Sequence, residues 1–462
     1  MVHQNSDTIA AIATPPGVGG IGIIRISGTL ALPILKVLFR PHRPHEIIQS
    51  HKLYYGAVVD QSGTVLDEIL AVYMKAPNTY TREDIVELQS HGSYLVLTSI
   101  LAEVLSHGAR LAEAGEFTKR AFLAGRIDLT RAEAVIDLLK AKTDTGVHLA
   151  LGQMQGQLSQ RIEEVRNVLI GILAVLEVAI DFPDDDVELV DTGQILRQLE
   201  QGVEAPLVRL IAMADQGKII REGIHIVIAG LPNVGKSSLL NALLQEDRAL
   251  VTPVPGTTRD TIEEMISIKG IPARLVDTAG IRDDTDSVEK LGIQRARQKV
   301  READLVLFLV DASVPLTSAD LELYNSIDSV DRIVVLNKID IADRENTASL
   351  ENAFPEVEQI KISARNHVGL VDLQETIFNR IMGEESSLTE RDACAPNVRH
   401  REVLKETLAA CGRLRNALTA GVTVDLIAVE VQSALDYLGD IVGLTTTEDV
   451  LDKIFAEFCI GK

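Results

Sequence analysis

The chain has 462 residues, 46% apolar and 3% aromatic with no Trp, so several domains packed by Leu, Ile, Val and Ala are expected. Its net charge of −22, from 67 acidic against 45 basic residues, argues against nucleic-acid binding by bulk electrostatics alone. Three Cys (Cys394, Cys411 and Cys459), no basic-apolar leader and no apolar run of about 18 residues lead us to expect a soluble, cytoplasmic protein without disulfides or membrane contact.

Three textures follow along the chain. In residues 1–120, short apolar runs at 9–13, 22–26, 53–59, 69–74 and 85–88 are split by Pro and Gly and predict strands. Residues 94–105 predict one helix. From 121 to 218 the pattern is helical. Asp128-Leu129-Thr130 caps a predicted helix from about Arg131, with apolar residues at Ala134, Val135, Leu138 and Leu139. The periodicity runs to Ile180 and breaks at Asp181-Phe182-Pro183, before the acidic 184–186; the acidic break from Asp181 to Glu188 reads as a solvated turn. A second helix is predicted over 192–217.

From 219 to 382 the texture alternates between buried strand and helix. Predicted strands are 225–229, 274–276, 305–310, 332–336 and 359–362, an α/β pattern with a parallel sheet. Helical texture returns in 383–462. A compact α/β domain interrupting a helical region reads as an insertion.

The inserted domain carries a nucleotide signature. Gly230-Leu231-Pro232-Asn233-Val234-Gly235-Lys236-Ser237 matches G-x-x-x-x-G-K-S after a strand and before a predicted helix at 238–244. Backbone N–H groups from Asn233 to Ser238 wrap phosphates in such a loop, and the helix N-terminus adds its dipole. Lys236 is expected to reach the β- and γ-phosphates, and the Ser237 hydroxyl to ligate Mg²⁺. Asp277-Thr278-Ala279-Gly280 ends the next strand, where the carboxylate holds Mg²⁺ through water and the Gly280 N–H faces the γ-phosphate. Asn337-Lys338-Ile339-Asp340 ends another. The Asp340 carboxylate accepts two N–H donors from guanine, a pair adenine lacks. Ser363-Ala364-Arg365 follows the last strand, and Ser363-Ala364 is expected to give a backbone N–H to guanine O6. Four ordered motifs on strand ends predict a Ras-like P-loop GTPase domain binding GTP and GDP.

Residues Val251-Thr252-Pro253-Val254-Pro255-Gly256-Thr257-Thr258 lie where the first switch belongs, with Thr258 as second Mg²⁺ ligand and γ-phosphate sensor. Ile281 stands where Ras-like enzymes carry a water-orienting Gln, and an apolar side chain cannot orient water. Hydrolysis must use another group. Asn233 can ligate a monovalent cation beside the phosphates, which would replace an arginine finger, or it can simply shape the loop.

The whole chain resembles the tRNA-modifying GTPase family MnmE, also called TrmE. The carriers are Thr14-Pro15-Pro16-Gly17 with Arg25-Ile26-Ser27-Gly28, Glu87-Leu88-Gln89-Ser90-His91-Gly92, Gly115-Glu116-Phe117-Thr118-Lys119-Arg120-Ala121-Phe122, Asp181-Phe182-Pro183, Gly256-Thr257-Thr258-Arg259-Asp260 and the tail Cys459-Ile460-Gly461-Lys462. The resemblance implies an N-terminal α/β folate-binding domain that forms a homodimer, a discontinuous helical domain and the inserted GTPase domain. It implies action on C5 of the wobble uridine of certain tRNAs, with a flavoprotein partner, MnmG (GidA), in a heterotetramer or larger assembly. The one-carbon unit would come from 5-formyl- or methylene-tetrahydrofolate.

The resemblance also implies residue roles. K⁺ would be held by Asn233 and by carbonyls of Thr252, Val254 and Thr257. Glu289 would be the catalytic glutamate, acting on the attacking water through a second water. Formyl-tetrahydrofolate would contact Arg25, Glu87, Arg126 and Lys462. Arg126 departs from the Lys expected in some members, which keeps the charge but alters the geometry. Without the resemblance, Arg25 reads as a strand residue ending in solvent and Glu87 as one half of a local ion pair. Cys459 reads as an ordinary thiol, with direct nucleophilic catalysis as the sharper alternative. The competing function is a ribosome-assembly or RNA-binding GTPase, which needs no folate pocket.

Overall fold

The computed structural model describes residues 7–43, 47–182, 191–246, 263–277, 301–327, 330–383 and 394–462. They divide into two compact units, one of Met1–Ile136, Met154–Val203 and Glu406–Lys462, the other of Asp137–Gln153 and Glu204–Lys405.

The first unit holds a seven-stranded sheet. Its strands are β1 (Thr8–Ile12), β2 (Gly19–Ser27), β3 (Phe39–Pro41), β4 (Lys52–Val59), β5 (Val65–Met74), β6 (Ile85–Gly92) and β7 (Ala109–Leu111), in the order β3-β4-β5-β6-β2-β1-β7. All neighbours are antiparallel except β1 and β7. Alternation along β4, β5 and β6 turns Tyr54, Val58, Ile69, Ala71, Val86 and Leu88 into one core. The helices Ala31–Leu38 and Tyr94–Ser106 supply Ile34, Leu35, Leu97, Ile100 and Val104 to the same core. The three-residue strands β3 and β7 are too short to leave an alternating signal.

The long periodic stretch before Ile180 is not one helix. It forms Leu129–Lys140, Asp144–Met154 and Gln157–Asp181. Gly156 is left-handed at φ +90°, a conformation that L side chains rarely adopt, so the chain turns there on a glycine. The helix predicted over 192–217 is likewise interrupted. Thr192–Leu199 passes through a π turn at Glu200–Glu204 into Ala205–Glu222. Pro206 has no N–H to return to the preceding turn, and the helix widens just before it. Later in the chain come Val398–Ala420, Val424–Val442 and Glu448–Ala456. Leu451, Phe455 and Phe458 share a core with Leu129, Ala132 and Ile136.

The second unit holds a six-stranded sheet, inserted in sequence between helical stretches. Its strands are β8 (Ile224–Ala229), β9 (Glu263–Ile268), β10 (Ile271–Asp277), β11 (Leu305–Asp311), β12 (Arg332–Asn337) and β13 (Gln359–Lys361), in the order β13-β12-β11-β8-β10-β9. All pairs are parallel except β9 with β10. Near-continuous apolar runs such as Leu305–Asp311 suit strands covered on both faces. Odd positions of β11 pack with Ile226 and Ile333, and even positions with Phe354 and Leu336. Sequence reading missed β9. The hairpin turns on Lys269 and Gly270, both at positive φ, a two-residue turn whose twist matches the strands. The order reverses at β8, with β10 on one side and β11 on the other, which opens a crevice at the strand C-termini. Among the described residues no helix is long and apolar enough to cross a membrane.

Candidate functional site

β8 ends at Ala229, and the helix Lys236–Glu246 begins seven positions later. Between them the chain curls through positive φ at Gly230 (+152°), Asn233 (+66°) and Gly235 (+103°). At Gly230 a Cβ would stand 2.5 Å from the Leu309 carbonyl, and at Gly235 it would strike the Asn337 carboxamide. These glycines let the loop lie against β11 and β12. The buried Lys236 ammonium donates to the carbonyls of Gly230 (3.0 Å) and Leu231 (2.9 Å), so it spans the mouth of the loop. Val234 is buried beneath it, while Ser237 and Ser238 are exposed on the first helical turn. The loop and helix N-terminus can receive a polyphosphate.

The ends of β11, β12 and β13 lie beside this loop and carry the Asn337-Lys338-Ile339-Asp340 and Ser363-Ala364 motifs. Asn337, 2% exposed, donates from Nδ2 to the Val234 carbonyl (2.8 Å) and accepts the Ala364 N–H at Oδ1 (3.0 Å). It staples the phosphate loop to the loop after β13. Lys338 donates to the Asn233 carbonyl (2.7 Å) and to Asp311 Oδ2 (2.6 Å). Ser363 Oγ donates to Asp340 Oδ1 (2.7 Å) and orients that carboxylate. The Ser363 N–H donates to the Val368 carbonyl (3.0 Å), and that of Ala364 is taken by Asn337. Sequence reading expected this pair to supply the guanine O6 donor; in the structure both N–H groups are engaged within the chain. Arg365 is the exposed residue after them.

Asp311 was not singled out from sequence. Burial alone raises its pKa, but hydrogen bonds from Lys338 and Ser313 outweigh that and hold it below the ordinary carboxylate range. Its only sequence signal is a carboxylate closing an apolar strand, one strand away from Asn337-Lys338.

Asp277 is the last residue of β10, in register with Ile228. Thr252, Pro253, Val254, Pro255, Gly256, Thr257, Thr258, Thr278, Ala279, Gly280, Ile281 and Glu289 lie outside the described residues. The Asn233 carboxamide is exposed and makes no hydrogen bond among the described residues. A neutral amide oxygen on a fixed turn is the hard donor a monovalent or hard divalent cation takes, so the residue fits that role.

A second constellation lies in the first unit. Arg25 on β2 and Glu87 on β6 are register partners. Arg25 Nε and Nη2 both lie 2.9 Å from Glu87 Oε1, and Nη1 donates to the Gly461 carbonyl (3.3 Å). The local ion pair that sequence allowed for Glu87 is therefore present. Glu87 Oε2 takes no hydrogen bond among the described residues, so one oxygen stays open to a donor edge. The Phe117 N–H donates to the Lys462 carbonyl (3.2 Å), and Ile460 bridges to Ala114. Gly461 has φ +95°, and a Cβ there would sit 2.6 Å from the Ile12 carbonyl. Arg25 also lies over the Phe117 ring, 5.7 Å from its centroid. Arg25, Glu87 and the Lys462 backbone thus converge. Arg126 stacks on Tyr80 at 4.8 Å and donates to its carbonyl (3.3 Å), and Tyr80 packs against the cluster containing Phe117. Cys459 is exposed, whereas Cys394 and Cys411 are buried.

Sequence also missed the ionic knot that joins Asp7, Glu83, Arg110, Glu116 and Arg120. Arg120, 5% exposed, reaches Asp7 Oδ1 (2.9 Å), Glu116 Oε1 (2.9 Å) and Glu83 Oε1 (3.1 Å). Arg110 binds Asp7 and Glu116 from the other side (2.6 and 2.5 Å). Burial raises the Glu116 pKa, yet the Arg110 and Arg120 contacts and a backbone N–H hold it below the ordinary value. The knot fixes the helix Glu116–Leu123, whose Phe117 receives the tail.

The family model described as MnmE helical domain matches residues 129–459, and that described as GTP-binding protein TrmE N-terminus matches 8–126. The tRNA modification GTPase MnmE of Desulfotalea psychrophila is 53% identical over 464 residues, covering 100% of this chain and 99% of that one. The protein of the same name from Thermoanaerobacter pseudethanolicus is 47% identical over 462 residues, covering 99% of each chain. That from Geotalea uraniireducens is 46% identical over 457 residues, again covering 99% of each.

Proposed function

The chain belongs to the MnmE (TrmE) family, and from that premise we propose how this tRNA modification GTPase works. It hydrolyses GTP with potassium stimulation. With a flavoprotein partner of the MnmG (GidA) type, it modifies C5 of the wobble uridine of certain tRNAs. The one-carbon unit derives from tetrahydrofolate, and residues 1–120 carry the homodimer contact.

One observation carries the folate part of this reading: the Arg25–Glu87 pair closed by the C-terminal tail. A pterin ring presents an amide-like edge of adjacent N–H donors, and the free oxygen of Glu87 suits it. Arg25 is held by Glu87 and Gly461, so its orientation is fixed before a ligand arrives. The Lys462 side chain and Arg126 add positive charge for the anionic glutamyl part of a folate. The same logic appears at Asp340, oriented by Ser363 for the guanine edge.

At the GTPase site the residues divide the work. Backbone N–H groups from Asn233 to Ser238 receive the phosphates. Lys236, whose ammonium lies at the mouth of the loop, contacts the β- and γ-phosphate oxygens. Ser237 and Thr258 would hold Mg²⁺, and Asn233 with the carbonyls of Thr252, Val254 and Thr257 would hold K⁺. These ions supply positive charge where charge develops during phosphoryl transfer. Glu289 orients the attacking water through a second water, the task Ile281 cannot perform.

Calorimetric titration of the full chain with 5-formyl-tetrahydrofolate tests the folate reading. Saturable binding that Glu87→Gln abolishes is expected, and absence of binding by the unaltered protein refutes it.

A further inference from the structure

We propose that Asp311 is a positioning residue for guanine-nucleotide binding that acts through Lys338, and through Lys338 on the Asn233 turn of the phosphate loop. The proposal deepens the GTPase reading and rests on it.

Asp311 ends β11 directly beside Asn337 at the end of β12. Its two oxygens have separate duties. Oδ1 accepts the Ser313 N–H (2.9 Å) and hydroxyl (2.6 Å), while Oδ2 accepts the Lys338 ammonium (2.6 Å). The loop carrying Ser313 is itself tied down. Asn346 Nδ2 donates to the carbonyls of Ala312 and Val314 (2.8 Å each), and the Ala312 N–H donates to the Asn337 carbonyl (2.8 Å). The carboxylate is therefore a fixed acceptor.

A lysine ends in a point charge on a four-carbon stem and loses much rotamer freedom when ordered. Lys338 is held in place, because Asp311 and the Asn233 carbonyl take its ammonium together. Both Lys338 and Asn233 stand at φ +66°, where non-glycine residues are disfavoured, so each needs such support. Asp311 fixes the lysine beside Asn337 and Asp340, and the lysine holds the loop turn that carries the Asn233 carboxamide. Base recognition and the candidate cation ligand thus share one hydrogen-bonded link. A plain strand-end cap would need only the Ser313 contacts. The bond to Lys338 is what such a cap leaves unexplained.

The test is a double-mutant cycle on the full chain, read as equilibrium binding of a fluorescent GDP analogue in NaCl. Asp311→Asn should weaken binding roughly tenfold, the value of one charge-assisted hydrogen bond. In a Lys338→Ala background it should change binding by less than about twofold. Unchanged binding in Asp311→Asn, or an equal loss in both backgrounds, overturns the proposal. Should Asp311→Asn fail to fold, Ser313→Ala loosens the same carboxylate. It should cost roughly threefold in binding, and no loss overturns the proposal. A second arm follows GTP turnover against KCl concentration. Asp311→Asn should raise the half-activating concentration; an unchanged midpoint in a protein that responds to potassium overturns the link to Asn233. A wild type indifferent to potassium overturns the potassium reading instead, and the GDP cycle then decides the Asp311 proposal alone.

Discussion

Arg25, in the second strand, donates from Nη1 to the carbonyl of Gly461, the penultimate residue, at 3.3 Å. The same guanidinium is held at 2.9 Å by Glu87, so one side chain ties two strands of the sheet to the end of the chain. The folate proposal depends on that closure, and several measurable consequences follow from it and from the nucleotide site.

Gly461→Ala should open the closure. The residue needs φ +95°, and its Cβ would lie 2.6 Å from the Ile12 carbonyl, a backbone atom that cannot give way cheaply. Affinity for 5-formyl-tetrahydrofolate, measured by calorimetry, should fall by roughly tenfold or more, in line with the loss of a preorganised contact. GDP affinity should be unchanged. Equal folate affinity would separate the tail from the pocket.

Asn337→Ala removes a buried side chain that serves the Val234 carbonyl and the Ala364 N–H. Each partner left unsatisfied costs about 1–3 kcal/mol. Denaturant unfolding should show a loss of several kcal/mol together with greatly weakened GDP binding. Loss of binding at full stability would mean that the residue reads the base and does not brace the loop.

The ionic knot gives a pH signature. The folded-state pKa of Glu116 is depressed below its ordinary value of 4.5, and that of Asp7 below 3.8. Carboxylates of this kind contribute stability that is present above the unfolded pKa and lost as pH falls through the folded one. The melting temperature of the wild type should therefore drop steeply as pH falls below about 4.5, continuing past the ordinary carboxylate range. Glu116→Gln should start less stable at neutral pH and show a shallower acid slope. Parallel slopes would place the acid sensitivity elsewhere.

Glu289→Ala should abolish GTP turnover and leave nucleotide affinity nearly intact, because the proposed role concerns the attacking water alone. A large loss of affinity would make Glu289 structural. In the unaltered protein, turnover should be much faster in KCl than in NaCl, and equal rates would remove Asn233 from the cation role.

Much of the fold was legible because the signals are local. Apolar runs marked β4, β5, β6, β8, β11 and β12, and the G-x-x-x-x-G-K-S loop lies between a strand and a helix as expected. The misses have physical causes. β3 and β7 are three residues long and borrow their order from neighbours. The periodic stretch that runs to Ile180 is divided into three helices, after Lys140 and again at Gly156, because periodicity records which face is apolar and does not register a short turn such as the left-handed one at Gly156. The π turn at Glu200–Glu204 keeps an apolar residue, Val203, facing inward, so the sequence pattern barely registers it.

The sequence by itself determined which motifs are available: the G-x-x-x-x-G-K-S loop at Gly230–Ser237, Asn337-Lys338-Ile339-Asp340 and the Cys459-Ile460-Gly461-Lys462 tail, each a short contiguous run. Only the tertiary structure decided which groups meet. Arg25 and Gly461 are 436 positions apart, and Asn337 and Val234 103 apart, so no local pattern could pair them. Asp311 was invisible for the same reason. A carboxylate at a strand end is unremarkable until parallel pairing sets it beside Lys338, and the burial that makes their contact strong exists only in the folded sheet.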